Sequence, residues 1–139
     1  MWLQKKIQLE ARNRGFHLIT EEVLGNLPEL KSIELGLAHF FLQHTSASLS
    51  LNENADSSVR SDMESHFNQL APEDVPYYEH TFEGPDDMPA HIKSGLLGTE
   101  CSVPITAGCL QLGIWQGLYL GEHRNHAKSR VLLVTLQGS

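Results

Sequence analysis

Ile33-Glu34-Leu35-Gly36-Leu37-Ala38-His39-Phe40-Phe41-Leu42-Gln43-His44 is the longest apolar stretch of the chain, and its reading decides the fold class. Strand-forming residues with a mid-run Gly36 favour a strand over a helix, and apolar residues at both parities predict burial on both faces. Such a strand needs neighbours. Residues 48–52 supply one after a Ser/Thr-rich bend, 102–106 supply another before the Ala107-Gly108 turn, and 130–137 close the chain as a third. Residues 110–120 alternate Leu110, Leu112 and Ile114 against Gln111, Gly113, Trp115, Gly117 and Tyr119. They read as a strand whose glycine-bearing face admits a close neighbour. At the start of the chain, residues 3–9 alternate loosely, and 16–19 would return antiparallel after a turn at 11–15.

Three helices fit between these strands. Thr20 suits the cap of a short helix over 21–26, which Pro28 ends or interrupts. Asp56 caps the strongest candidate, over 57–70, where Val59, Met63, Phe67 and Leu70 fall at spacings of four, four and three and form a core stripe. The third covers 88–97, with Asp87 as N-cap, Pro89 in the first turn and Gly98 as the stop. The expected architecture is α+β: a sandwich-like antiparallel β-sheet core with two to three helices to one side, in a single domain over residues 1–139.

Composition bounds the function. Apolar content of 40% and charged content of 19% suit a globular chain, and a net charge of −7 with no basic stripe argues against nucleic-acid binding. No apolar run approaches the ~18 residues needed to span a bilayer. Residues 1–6 lack a signal-peptide pattern, so the cytoplasm is the expected location and no membrane partner is expected. Cys101 and Cys109 form neither a disulfide framework nor a metal knuckle and read as buried, reduced thiols.

Eight histidines, spread along the chain, direct attention to metal or phosphate chemistry. The long polar segment 71–87 has the length of a lid or binding loop and runs into the third helix. It brings His80, Glu83, Asp86 and Asp87 together, and His91 falls one helical turn from Asp87 on the same face. Imidazoles beside carboxylates suit a divalent ion such as zinc, manganese or magnesium, although the spacing matches no named zinc motif and solvated loop charges would read alike. His44-Thr45-Ser46-Ala47-Ser48, followed by Asn52-Glu53-Asn54, offers hydroxyls that could donate to phosphate, or simply a Ser/Thr turn beside a packed histidine. No spacing marks a serine hydrolase triad. Trp115 suits core, interface or ligand stacking, and Glu122-His123-Arg124 with Lys93, Lys128 and Arg130 offers phosphate-binding cations or surface ion pairs.

Taken together, these blocks resemble the YjbQ family, also called the secondary thiamine-phosphate synthase family, nearly end to end. The similarity rests on residues 44–49 with 52–54, on Tyr78-Glu79-His80, on residues 83–94, and on Ser102, Gly108 and Gly113-Ile114-Trp115-Gln116. Ile114 replaces a family threonine and removes one hydroxyl. The resemblance implies an antiparallel α+β fold assembled as a homotrimer, with a pocket of histidines and acids for a metal or anion. The implied reaction joins a hydroxymethylpyrimidine diphosphate to a thiazole phosphate and releases pyrophosphate. On that reading His80, Asp87, His91 and Glu122 handle the metal and, with His44, form the catalytic set. Thr45, Ser46, Lys93 and Arg124, together with His44, contact phosphate, Asn52 lines the ligand site, and Trp115 faces the heterocycle. Two other readings use the same residues: a metal- or anion-binding regulatory trimer, and a metal-dependent phosphate-ester hydrolase.

Overall fold

The computed structural model describes residues 1–139. In chain order it has β1 (Trp2–Gln8), β2 (Gly15–Leu18), α1 (Thr20–Gly25), a 3-10 turn (Pro28–Ser32), β3 (Leu35–Leu42), β4 (Ala47–Glu53) and α2 (Ser57–Leu70). These are followed by α3 (Asp87–Leu97), β5 (Glu100–Thr106), β6 (Cys109–Leu110), β7 (Gln116–Glu122) and β8 (Val131–Gly138). All strand pairs are antiparallel. Five strands form one sheet in the order β1-β8-β3-β5-β6, and three form a second in the order β2-β7-β4. The fold is therefore α+β, with three helices accompanying two antiparallel sheets.

The core lies between the sheets. Ala38, Phe40, Leu42, Leu132, Val134 and Leu136 from the large sheet meet Ala47, Leu49, Leu118 and Leu120 from the small one, all of them buried. This alternation follows from the two-residue period of a strand. It also corrects the expectation for the 33–44 run, because β3 is buried on one face only. Leu35 and Leu37 on its other row are 67% and 48% exposed, and Phe41 lies at the margin at 36%. The strand buried on both faces is β7, whose Tyr119 faces Phe16 and Arg60 outside the core.

Several local expectations are redirected by tertiary partners. β2 does not return along β1 but pairs with β7, and β1 pairs with β8. Thr20 opens α1 without capping it, because its hydroxyl accepts the Leu118 N–H at 2.9 Å. Asp56 does cap α2, accepting the Ser58 N–H at 2.9 Å. The Val59-Met63-Phe67-Leu70 stripe, however, is half-buried at best, and Leu70 is exposed. The 110–120 run breaks at 111–115 into β6 and β7, which leaves Ile114 and Trp115 in an exposed loop. Cys109 is exposed, while burial raises the Cys101 thiol to about 11 and keeps it protonated. No helix is long and apolar enough to cross a membrane.

The one-sided burial of β3 has a direct consequence. Phe40→Ala should cost about 3–5 kcal/mol through lost transfer energy and a core cavity. Phe41→Ala, one residue on, should cost about 1 kcal/mol or less. Urea unfolding of the two variants checks this, and equal losses would mean the exposed row is packed.

Candidate functional site

The site is built where α3 begins. Segment 71–86 leads into the helix through Gly84, whose positive φ of 105° suits only glycine. Asp86 occupies the N-cap position and Asp87 the first helical one. The helical period then sets His91 over Asp87, with Nε2 of His91 3.1 Å from Asp87 Oδ2. His80 reaches the same oxygen from the loop at 2.7 Å. One ligand atom from each of His80, Asp87 and His91 lies within 4.8 Å of the others, a set that could hold a metal ion.

Asp87 is buried, His91 is half-buried and His80 is exposed, so the cluster opens toward solvent from a fixed base. Two further contacts set its orientation. Arg124 donates from Nη1 to Asp87 Oδ1 at 2.6 Å and from Nε to Asp86 Oδ2 at 2.8 Å, while Nη2 reaches the Glu83 carbonyl. His91 Nδ1 lies 2.8 Å from the Thr45 carbonyl oxygen. Burial alone would raise the Asp86 carboxyl, but the Asn125 N–H and the Arg124 guanidinium outweigh it and hold Asp86 below the usual carboxylate range. The acidic partners in turn raise Arg124 against the effect of its own burial.

The other residues expected at the site are placed differently. Glu122 stands outside the cluster: its two oxygens accept from Arg130 Nε at 2.7 Å and Nη2 at 2.6 Å in a buried pair, and Oε2 also accepts the Arg124 N–H. Lys93 is fully buried and donates to Asn68 Oδ1 at 2.6 Å. Ser46 contributes its carbonyl to Arg130, and His44 Nε2 accepts the Val131 N–H at 2.8 Å. Burial, followed by the nearby Arg130 charge, lowers the His44 pKa and keeps the ring neutral. Thr45 is exposed beside His91. Asn52 and Trp115 sit at the opposite end of the small sheet from Glu122, so within one chain they are remote from the cluster. The structure thus assembles His80, Asp87 and His91 with Arg124 behind them. It commits Lys93 and Arg130 elsewhere.

A second polar group escaped the sequence. Ser48 Oγ and His123 Nε2 are 2.9 Å apart beneath α3, both fully buried, and no Cβ at residue 121 would fit between them. Asn68 joins the same region by accepting from Lys93 and Arg14. A serine–histidine pair suggests a nucleophile, but His123 Nδ1 has no partner and neither residue reaches solvent, so no orienting group or access completes it. Ser48 and His123 are 75 positions apart, and only the β4–β7 pairing brings them together.

Residues 5–139 match the family described as UPF0047 protein YjbQ-like. The UPF0047 protein YjbQ of Escherichia coli O157:H7 is 54% identical over 138 residues, covering 99% of each chain. A UPF0047 protein of Synechocystis is 48% identical over 135 residues, covering 97% of this chain and 91% of its own length. Among solved structures, a conserved hypothetical protein from Thermus thermophilus superposes with a TM-score of 0.81 at 32% identity, over 94% of this chain and 97% of that one. A YjbQ/UPF0047-family protein from Clostridium acetobutylicum also gives 0.81 at 32% identity, over 97% and 99%. None of these names states a reaction.

Two outcomes follow from the buried groups. Glu122→Gln strands the Arg130 charge and should lower stability by about 3–5 kcal/mol in urea unfolding. A loss below about 1 kcal/mol would mean the pair is not a structural clamp. Burial first, then the Lys93, Arg130 and Arg14 charges, push His123 down to about 3. The unfolded chain takes up this proton near pH 6.5, whereas the folded one stays neutral. The stability that His123 contributes is therefore complete above pH ~6.5 and falls by about 1.4 kcal/mol per unit as pH drops toward its folded pKa. His123→Gln should flatten that difference between pH ~6.5 and ~4 in unfolding measured across pH.

Proposed function

The chain belongs to the YjbQ-like UPF0047 family, and on that premise we propose that it is a divalent-metal-dependent enzyme acting on a phosphorylated small molecule, with His80, Asp87 and His91 as the metal ligands. The observation that carries this reading is the contact between His91 and Asp87. The Thr45 carbonyl can only accept, so the His91 Nδ1 that faces it bears the ring proton. In the neutral ring this leaves a lone pair on Nε2 pointing at the Asp87 carboxylate. Two acceptors set face to face repel, and His80 Nε2 meets the same oxygen. A cation among the three atoms turns the His91–Asp87 repulsion into attraction and takes a lone pair from each imidazole. Protonation of His91 is the competing resolution, and metal analysis separates the two.

The surrounding contacts suit that role. A ligating histidine usually donates its other N–H to a carbonyl or carboxylate, as His91 does to Thr45, and a ligating carboxylate is held on its far oxygen, as Arg124 holds Asp87. Two imidazoles among three protein ligands favour zinc or manganese over magnesium. When bound, such an ion supplies positive charge to phosphoryl oxygens and to a departing phosphate or pyrophosphate. That charge matters here because Lys93 and Arg130 are committed to buried partners and Arg124 to carboxylates.

In its finer form, we infer the thiamine-phosphate synthase reaction that the sequence resemblance implies. A thiazole nitrogen forms a bond to the pyrimidine methylene carbon while the carbon–oxygen bond to diphosphate breaks, and the electron pair leaves with pyrophosphate. This displacement needs the leaving group's charge neutralised more than it needs a strong base. The residues of this chain would hold the ligands: Arg124 fixes Asp87, Thr45 fixes His91, and exposed His80 closes the set from the loop. We take the working unit to be a homotrimer, supported by Leu35, Leu37 and the exposed Ile114–Trp115 loop, which a neighbouring copy would cover.

Metal analysis of chelator-free protein should find about one zinc or manganese per chain, and His80→Ala/His91→Ala should lose it. Arg124→Ala should weaken metal affinity by about 10–100-fold through the loosened Asp87. A metal-free protein that still binds pyrophosphate would defeat the reading. Metal-dependent release of inorganic phosphate from a phosphate ester, without condensation, would replace the transferase with the hydrolase.

A further inference from the structure

The metal-ligand cluster lies between two concavities. Beside His80, a pocket of about 240 Å³ is walled by Val75, Tyr78, Pro85 and Met88 together with Asp74. Beside His91, a wider one of about 510 Å³ is bounded by Phe41, His44, Thr45, Gly95, Gly98 and Thr99. Apart from the two histidines, the second pocket has no ionisable wall, and His44 is kept neutral by burial and by Arg130.

Gly95 is the anomaly. It lies within α3, one turn beyond His91 on the same face, where glycine costs helix stability relative to alanine. No conformational need explains it, since its φ is not positive. No steric need explains it either, because a Cβ at this position would meet nothing within 4 Å. Gly98 is different: its φ of 93° suits the helix stop. A glycine that costs helix stability and yet faces open space next to a ligating histidine marks a surface kept bare for something outside this chain.

We propose that the His91-side pocket is the subsite for the uncharged, planar organic part of the phosphorylated substrate, which lies flat across the bare α3 surface at Gly95. Phe41 supplies an aromatic wall, and the hydroxyls of Thr45 and Thr99 supply edge contacts for ring nitrogens or substituents. The phosphoryl group points to the metal beyond His91. The lining has no cation, so the subsite selects by shape and neutral hydrogen bonding while the metal carries the charge. This assignment rests on the proposed metal centre, because it orients the substrate from that end.

The test uses the metal-loaded full chain and two probes that share a phosphoryl group, inorganic phosphate and phenyl phosphate. Wild-type protein should bind phenyl phosphate at least about tenfold tighter, as expected for burial of an aromatic ring. Gly95→Leu, which restores helix propensity and fills the surface, should abolish that preference. Its metal content and phosphate affinity should stay unchanged, with a Tm equal to or above that of wild type. Gly95→Ala should give an intermediate preference. If Gly95→Leu retains both metal and the full preference, the subsite is wrong and the metal centre stands. If wild-type protein holds no metal, both fall. If Gly95→Leu changes only the oligomeric state, Gly95 serves chain packing and the subsite is overturned.

Discussion

The buried pair between Glu122 and Arg130 is the constraint on which the site depends. Glu122 ends β7 in the small sheet and Arg130 precedes β8 in the large one, so two hydrogen bonds of 2.6–2.7 Å tie the sheets together at one end. Two loops hang from this clamp. Arg130 also holds the Ser46 carbonyl, which fixes the segment whose Thr45 carbonyl orients His91. Glu122 also accepts the Arg124 N–H, which fixes the residue whose guanidinium orients Asp87. Neither Glu122 nor Arg130 belongs to the His80–Asp87–His91 set, yet the outer contacts of both Asp87 and His91 trace back to them. A buried ion pair is a poor source of net stability, but once formed it is costly to break and geometrically demanding. Here that demand falls on two loops that have no sheet partners of their own.

The same clamp explains what the sequence could and could not reveal. Spacing along one helix is local information, and the Asp87–His91 relationship needed only the helical period; Asp56 as the cap of α2 was equally local. Glu122 reads as a metal ligand in sequence because a carboxylate beside a histidine and an arginine looks the same whether it binds an ion or a cation from another loop. Its partner, eight residues away, is reached only when the chain turns between β7 and β8. Lys93 reads as a phosphate contact for similar reasons, although Asn68 on α2 takes it into the interior. The Ser48–His123 pair left no local trace at all. On the fold side, the two apolar rows of β3 look alike in sequence. Only the second sheet, which covers Phe40 but not Leu35 or Leu37, distinguishes them.

Electrostatics narrows the chemistry further. The region behind α3 is rich in basic groups, with Lys93, Arg14 and Arg130 all acting on His123. These charges are directed inward. Arg14 is bound by Glu64 and Glu73, Arg130 by Glu122, and Lys93 by an amide oxygen. Their effect is to keep His123 neutral in the interior, not to attract an anion to the surface. The concavities beside His80 and His91 are lined by no lysine or arginine, in a chain of net charge −7. On the proposed reading, a phosphorylated ligand arriving there would need added positive charge, which would connect a metal to the substrate class and not merely to the shape of the site.

Several departures from ordinary packing rules lie on this face. With the His91 ring neutral, an acceptor faces an acceptor between His91 and Asp87, and a helix carries a glycine that neither sterics nor conformation requires. Phe82 and Leu96 project into solvent on the loop and helix that bear the ligands. The core, by contrast, alternates as strands should, and α2 is capped. Three of these departures ask for different additions. A cation relieves the His91–Asp87 contact, a flat neutral group suits the bare helix at Gly95, and an apolar cover suits Phe82 and Leu96. On the proposed reading, the first two would hold opposite ends of one phosphorylated ring compound, the cation its phosphoryl group and the bare helix its ring, while the third would shut water out once that compound is bound.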